Sequence, residues 1–238
     1  MAPPTAYREW APPAALRGAV ACLWTHHVGD GPTNPVLPDG CSDLIWRAGD
    51  GAFVAGPDTG PNRVDLVPGT LLVGIRFRPG VGGAALGLPL AELRDRRVDL
   101  VDLAPADAPA LHGGLSPAAA AAELTRVAAE HLDDRAPDPA VAHATALLAD
   151  PRVDLGSVSR EVEVGERQLR RRFLAAVGYG PKTLQRVLRF RAFLDDLPAD
   201  GALADAAVRA GFADQPHLNR ECRDLAGLTP AELAAAWA

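Results

Sequence analysis

The sequence predicts an α+β fold, a β-rich N-terminal part followed by an all-helical C-terminal part. Three observations predict it. Short β-prone runs separated by turn residues fill the chain from about Trp10 to Arg78. Roughly the last hundred residues carry apolar side chains at helical spacing throughout. Within that helical part, five residues recur at one constant offset. The chain has 238 residues, 48% of them hydrophobic and 23% charged. That length fits one large domain or two ordinary ones, and the apolar share suffices for a sizeable core, which excludes wholesale disorder.

Val20 to Val28, Ser42 to Arg47, Ala52 to Ala55, Arg63 to Val67 and Thr70 to Arg78 are the predicted strands. Pro38-Asp39-Gly40, Gly49-Asp50-Gly51, Gly56-Pro57-Asp58, Pro68-Gly69 and Pro79-Gly80 punctuate them, because proline and glycine supply the backbone angles that turns need. Strands this short and evenly spaced suggest a small sandwich or barrel. A helical patch follows at Val81 to Leu93.

Ser116-Pro117 then offers an N-cap and a first-turn proline for an alanine-rich helix running to Leu132. Leu124, Val127, Ala128, His131 and Leu132 share one face of it. That narrow face suits a homodimer contact, or else it covers the β-rich part of its own chain. Asp133 to Pro139 holds two prolines and three aspartates and reads as a linker. The predicted domains are therefore 1–135, with the trailing helix 116–132, and 139–238.

The repeat defines the second domain. Leu169, Arg171, Phe173, Gly178 and Pro181 recur as Leu218, Arg220, Cys222, Gly227 and Pro230, with no insertion between them. In the second copy Leu203, Ala206, Ala207 and Ala210 make a helix face, Gly211 suits a left-handed cap, and Asp214 caps a helix to Leu225. Helix, tight turn, helix is a helix-turn-helix pattern. The first copy has Leu155, Val158 and Val162 on one helix, a turn near Glu163, and Gly165 opening a helix to Val177. Lys182 to Leu194 bridges the two.

The net charge of −6 argues against nucleic acid, but its distribution is uneven. Between Arg160 and Arg191 there are nine basic residues against three acidic ones, Glu161, Glu163 and Glu166. Lys182 is the only lysine in the chain, so part of the arginine excess is compositional.

The run from Ala210 through Gly211-Phe212-Ala213-Asp214-Gln215-Pro216-His217-Leu218-Asn219 to Arg220, followed by Gly227-Leu228-Thr229-Pro230-Ala231-Glu232-Leu233, resembles the signature of the AraC/XylS transcription regulators. Gln168-Leu169-Arg170-Arg171-Arg172-Phe173 with Gly178-Tyr179-Gly180-Pro181 is similar to that family's first helix-turn-helix. The resemblance spans about residues 139 to 238. Leu37-Pro38-Asp39-Gly40-Cys41-Ser42-Asp43-Leu44-Ile45-Trp46 and Gly74-Ile75-Arg76-Phe77-Arg78-Pro79-Gly80 are similar to the β-rich sensor domain, cupin-like in outline, of one branch of such regulators. The chain departs from the pattern at Glu163 (usually glycine), Gly165 (usually serine), Cys222 (usually aromatic) and Pro216 (often a polar reader).

The resemblance implies two recognition helices in successive major-groove segments. If Leu169, Phe173, Leu218 and Cys222 face inward, the DNA-facing candidates are Glu166, Arg167, Arg170 and Arg171 in the first unit. In the second they are Gln215, His217, Asn219, Arg220 and Arg223. A small organic effector is expected in the β-rich domain, with Trp24, Trp46, Phe53, Arg76 and Phe77 as candidate lining residues. The expected partners are double-stranded promoter or operator DNA, that effector, a second copy of the chain, and RNA polymerase if the protein activates.

No cofactor or metal is expected. Cys22, Cys41 and Cys222 are scattered and odd in number, and His26 and His27, adjacent on a strand, point to opposite faces. Cys41, after a Pro-Asp-Gly turn, offers the alternative of a thiol-based sensor regulator. An enzyme with Cys41 as nucleophile and His26 or His27 as base would have to ignore the repeat, and no phosphate loop, GxSxG elbow or HExxH motif is present. The sequence is therefore read as non-enzymatic. No secretory segment or run near the ~20 apolar residues of a membrane span is visible, so a cytoplasmic, nucleoid-associated protein with no membrane partner is expected.

Overall fold

The computed structural model describes residues 6–30, 35–64, 66–197 and 203–237. Six strands, β1 (Ala6–Trp10), β2 (Val20–His27), β3 (Ser42–Arg47), β4 (Gly51–Ala55), β5 (Leu71–Phe77) and β6 (Arg97–Asp99), form one antiparallel sheet. Its order is β1-β2-β5-β3-β4-β6. Ten helices accompany them among the described residues: α1 (Gly82–Leu86), α2 (Leu100–Leu103), α3 (Pro117–Asp134), α4 (Pro139–Leu148), α5 (Leu155–Glu161), α6 (Glu166–Ala176), α7 (Pro181–Asp195), α8 (Leu203–Arg209), α9 (Gln215–Ala226) and α10 (Pro230–Trp237). The molecule is thus α+β, with its sheet ahead of an all-helical part.

Four predicted strands form within a residue of their expected ends. The run Arg63 to Val67 does not: its described residues are loop, and Asp65 lies outside them. The reason is topological. β5 returns to the far side of β3, and both sides of β4 are taken by β3 and β6, so the segment that leaves β4 cannot fold back to pair with it. Asn62 instead makes an isolated bridge to Val36. Two strands were not legible. Every residue of β1 is exposed, and β6 is only three residues long, so neither shows an apolar alternation.

The sheet has two different faces because strand side chains alternate. Leu23, Leu44, Trp46, Val54, Val73, Ile75 and Phe77 lie on one face, buried under α3 and α1. Ser116 caps α3, its Oγ accepting the Ala119 N–H at 3.3 Å, and Pro117 fills the first helical position. Ala120, Leu124, Val127 and Ala128 of α3 are buried in this same core. The apolar face offered for a dimer is therefore covered by the chain's own sheet, and that part of the homodimer expectation is corrected.

A connection of four residues, 135–138, leads to the helical part, whose core is separate. Val141, Leu148, Leu169, Phe173, Leu184, Val187, Phe190, Phe193, Leu218 and Cys222 are buried together there. Leu37, from the turn before β3, joins this second core, and α1 and the turn at Leu90–Glu92 lie against α6. The β-rich and helical parts are thus packed on each other through the loops of one and the first helix-turn-helix of the other.

The two helix-turn-helix units differ by one residue at the turn. The left-handed position is Glu163 (φ 52°) in the first and Gly211 (φ 84°) in the second. In each the next amide closes the turn, Val164 N–H on the Ser159 carbonyl at 3.1 Å and Phe212 N–H on the Ala207 carbonyl at 2.9 Å. Gly165 then caps α6 directly after Val164, whereas Ala213 intervenes before the cap Asp214 of α9. Left-handed backbone costs a residue with a Cβ about 1–2 kcal/mol, which Glu163 bears and Gly211 avoids. Glycine also has a more mobile unfolded chain, which offsets roughly 0.4–1 kcal/mol of any gain. Glu163→Gly is therefore expected to stabilise the protein by up to about 1 kcal/mol, seen as a later urea midpoint. An earlier midpoint would show that the turn is unstrained.

Candidate nucleic-acid interface and sensor cavity

In α6, Leu169 and Phe173 are buried, 2% and 0% exposed, so the opposite side of the helix is open. Glu166, Arg167, Arg170 and Arg171 are all exposed, as expected. Arg167 and Arg171 sit one helical turn apart. Glu166 and Arg170, also one turn apart, line a groove of about 280 Å³ with Arg94, Tyr179 and Lys182. Arg94 comes from the β-rich part, and nothing in the sequence tied it to α6. Gln168, exposed beside Arg171 and in register with His217, is another surface residue the sequence reading passed over. Its signal was available in the repeat.

In α9, Asp214 Oδ1 accepts the His217 N–H at 2.6 Å, and Pro216 occupies the first turn, where its missing N–H is no loss. Leu218 and Cys222 are fully buried, which exposes Gln215, Arg220 and Arg223. His217 and Asn219 are only partly exposed. The His217 ring stands edge-on to Phe212 at 5.4 Å, and its Nε2 lies 3.6 Å from Glu221 Oε1. His217 thus braces the turn while keeping one edge toward solvent.

Apart from Arg160, which donates to Ser157 Oγ at 2.9 Å, the basic run separates into two groups. Arg172 reaches Asp138 at 3.4 Å, Arg191 reaches Asp195 at 3.6 Å, and Arg186 binds Glu221 at 2.9 Å and Asp224 at 3.2 Å. The Arg189 guanidinium lies 5.8 Å from the centre of the Phe212 ring. Arg172, Arg186 and Arg189 tie different elements together, whereas Arg191 pairs with Asp195 within α7 itself. Arg167, Arg170, Arg171 and Lys182 show no ion pair within the chain among the described residues, and they carry free charge on the α6 side. Because Arg186 ties α7 to α9, the connecting helix also fixes the second recognition helix. At 15 residues α7 spans roughly 22 Å. The widths of the flanking units add to that, toward the ~34 Å between successive major-groove faces.

The second candidate site lies on the sheet face away from α3. Trp24, Asp43, Ile45, Phe53, Leu72 and Arg76 form its floor, and the loops carrying Leu37, Asp39, Cys41 and Asp58 roof a cavity of about 160 Å³. Trp24, Phe53 and Arg76 are therefore where they were expected. Trp46 and Phe77 are not. Each is displaced by one residue along its strand from a cavity-facing side chain, Ile45 and Arg76, so each points into the core under α3. The Trp46 indole N–H donates to the His112 carbonyl at 2.9 Å, anchoring it there.

The polar floor is tightly connected. Asp43 Oδ1 accepts the Trp24 indole N–H at 2.7 Å and Arg76 Nε at 3.2 Å. Burial, reinforced by Asp39, raises the Asp43 carboxyl above its ordinary value against the pull of Arg76 and Trp24. Burial first, and then the carboxylates of Asp39 and Asp43, push the Cys41 thiol well above its ordinary value. Cys22 is pushed up to about 11, mainly by burial. Thiolate is the reactive form, so this environment works against a thiol sensor. Iodoacetamide at neutral pH is expected to label Cys41 far more slowly in the folded chain than in urea; equal rates would restore the sensor alternative. His26 faces the cavity, and among the described residues no three His, Cys, Asp or Glu side chains converge as a metal site.

Gly74 makes the floor possible. A Cβ there would lie 2.2 Å from Trp24 Cε2, so the indole packs flat over bare backbone. Gly74→Ala is expected to displace Trp24 from Asp43 and cost about 1–3 kcal/mol, read by urea unfolding and by a shift in indole fluorescence. Unchanged fluorescence and stability would mean the ring is not held there.

Residues 158–236 match the family model of a helix-turn-helix domain, and residues 8–99 match that of a domain of unknown function (DUF6597). No curated protein matches the chain. Among solved structures, ToxT from Vibrio cholerae O395 is similar with 10% identity, covering 89% of this chain and 95% of that one at a TM-score of 0.46. ToxT from Vibrio cholerae in its P21 form is 9% identical, covering 96% and 98%, at 0.46. ToxT with bound unsaturated fatty acid, from strain SCE256, is 10% identical, covering 98% and 96%, at 0.43. The helix-turn-helix match falls on the repeated units themselves. No helix among the described residues is long and apolar enough to cross a membrane.

Proposed function

We propose that this chain is a transcription regulator of the AraC/XylS type and reads a specific operator with both units of its C-terminal helix-turn-helix domain. Its β-rich part would hold a small effector. The observation that carries this reading is the matched exposure of Arg171 and Arg220. They are equivalent positions of the repeat, and both are exposed, on helices whose opposite sides are buried. Arginine holds guanine bidentately in the major groove, and glutamine or asparagine does the same for adenine, which gives Gln215 and Asn219 a matching role. Arg167, Arg170 and Lys182 supply phosphate contacts that set register without reading sequence. The chain acts by binding, with no catalytic step, in the cytoplasm where the chromosome lies.

Selection of bound DNA from a random pool by the purified protein tests this. A consensus of two short elements about one helical turn apart is expected, with affinity falling steeply as salt rises. A pool that returns no consensus would overturn sequence-specific readout.

The cavity supports effector control because its roof is also a contact with the helical part. Leu37 lines the cavity and is buried in the core that holds α6 and α7, and a Cβ on Gly40 would lie 3.0 Å from Leu184 of α7. A ligand that moves this loop therefore bears on the packing of the DNA-reading units.

A further inference from the structure

The cavity is unbalanced in charge at one end, and the imbalance identifies the chemistry of its occupant. Arg76 is surrounded there by three carboxylates: Asp43 Oδ1 at 3.2 Å, Glu9 Oε1 at 3.5 Å and Asp39 Oδ2 at 3.7 Å. One guanidinium cannot neutralise three carboxylates. Asp43 and Asp39 are also substantially buried, with side chains 14% and 26% exposed, so solvent screens them incompletely. The other guanidinium of the cavity, on Arg97, is closed by Asp58 through two bonds of 2.6 Å and has little left to offer an anion. His26 adds no positive charge, since burial holds its imidazole below the usual range. Uncompensated buried charge is costly, and a ligand that supplies the missing positive charge recovers that cost on binding.

The walls favour an organic cation over a metal ion. Trp24 and Phe53 are buried in the floor, and Tyr7 stands against Trp24 with ring centroids 5.8 Å apart. Aromatic faces attract ammonium groups within about 6 Å. Arg76 separates the carboxylates, so they do not converge on one point as metal ligands must. At about 160 Å³ the cavity is smaller than the ~300–1,000 Å³ of typical drug-sized sites, so its occupant is small.

We propose that the cavity binds a small amine on a flat apolar body, its ammonium against Asp39 and Asp43 and its body against Trp24 and Phe53. The proposal rests on reading the cavity as the effector site. Calorimetry and thermal shift on the full chain test it with matched compounds that share a body and differ in the polar end. These are 2-phenylethylamine, phenylacetate and 2-phenylethanol, together with tryptamine and indole-3-acetate. At least one amine is expected to bind and raise Tm, with its acid and alcohol counterparts weaker by about tenfold or more. Asp43→Asn, which keeps an acceptor for the Trp24 N–H, is expected to lose about tenfold in amine affinity.

An acid or alcohol that binds as well as its amine overturns the proposal, and so does the absence of heat and Tm shift with both amines at millimolar concentration. The comparison on the unaltered chain stands even if the variant misfolds. Operator selection on the same preparation separates the two readings. Failed amines with intact operator binding remove only the ligand class, and bound amines without an operator remove the regulator.

Discussion

Arg171→Ala and Arg220→Ala are each expected to weaken binding to a selected operator by about 1–3 kcal/mol and to relax base preference at different positions. Both side chains are exposed on recognition helices whose buried sides, Leu169 with Phe173 and Leu218 with Cys222, fix how the helix can face the groove. The two arginines lie on separate units joined by α7, so their losses should add in the double variant. Because neither has an ion-pair partner in the chain among the described residues, the losses should appear in DNA affinity without a change in folding. Arg186→Ala makes a useful contrast. It breaks the contacts to Glu221 and Asp224 that position α9, so it should weaken binding partly through stability. Competition binding against single-base operator variants, with urea unfolding alongside, reads all three. Unchanged preference in both Arg171→Ala and Arg220→Ala would rule out joint readout by two helices.

Phe173→Ala is expected to destabilise the helical part by about 3–5 kcal/mol and so to abolish operator binding at 37 °C. The Phe173 ring is completely buried, in a core it shares with Val141, Leu169, Leu184 and Val187. Removing it forfeits both the transfer free energy of the ring and the contacts around the cavity left behind. Against a typical total of about 5–15 kcal/mol, that loss is large. The repeat supplies an internal control. Cys222 occupies the equivalent slot in the second unit, also fully buried, yet it fills far less volume. Cys222→Ala should therefore cost much less, and the two units should differ in their sensitivity to truncation. Equal urea midpoints for the two variants would show that Phe173 is not a packing centre.

The helical part was legible in detail because its signals are local. Caps, periodic apolar residues and the repeat each specify neighbouring backbone, and α5, α6, α7, α8 and α9 form close to their expected bounds. Asp214 caps α9 and Gly211 takes the left-handed angle as read from the sequence. The β-rich part was less legible. Its central strands carry apolar alternation, but β1 is exposed throughout and β6 is very short, so tertiary pairing alone makes them strands. Arg63 to Val67 has strand-like composition, yet its described residues join no strand.

The sequence by itself determined that there are two helix-turn-helix units, which of their faces are buried, and hence that Arg167, Arg171, Gln215 and Arg220 are exposed. A helix converts spacing of three and four residues directly into a face, so no partner need be known. Only the tertiary structure decided the cavity of the β-rich part. It put Trp46 and Phe77 in the core while leaving Trp24, Phe53 and Arg76 at the cavity, because alternation orders side chains along a strand without saying which face α3 covers. It also covered the apolar face of α3 with the chain's own sheet, and gathered Glu9, Asp39 and Asp43 around Arg76 from four separate segments. Contacts between residues distant in the chain depend on which strands pair and which helix lies over them, and that information is held by no single segment.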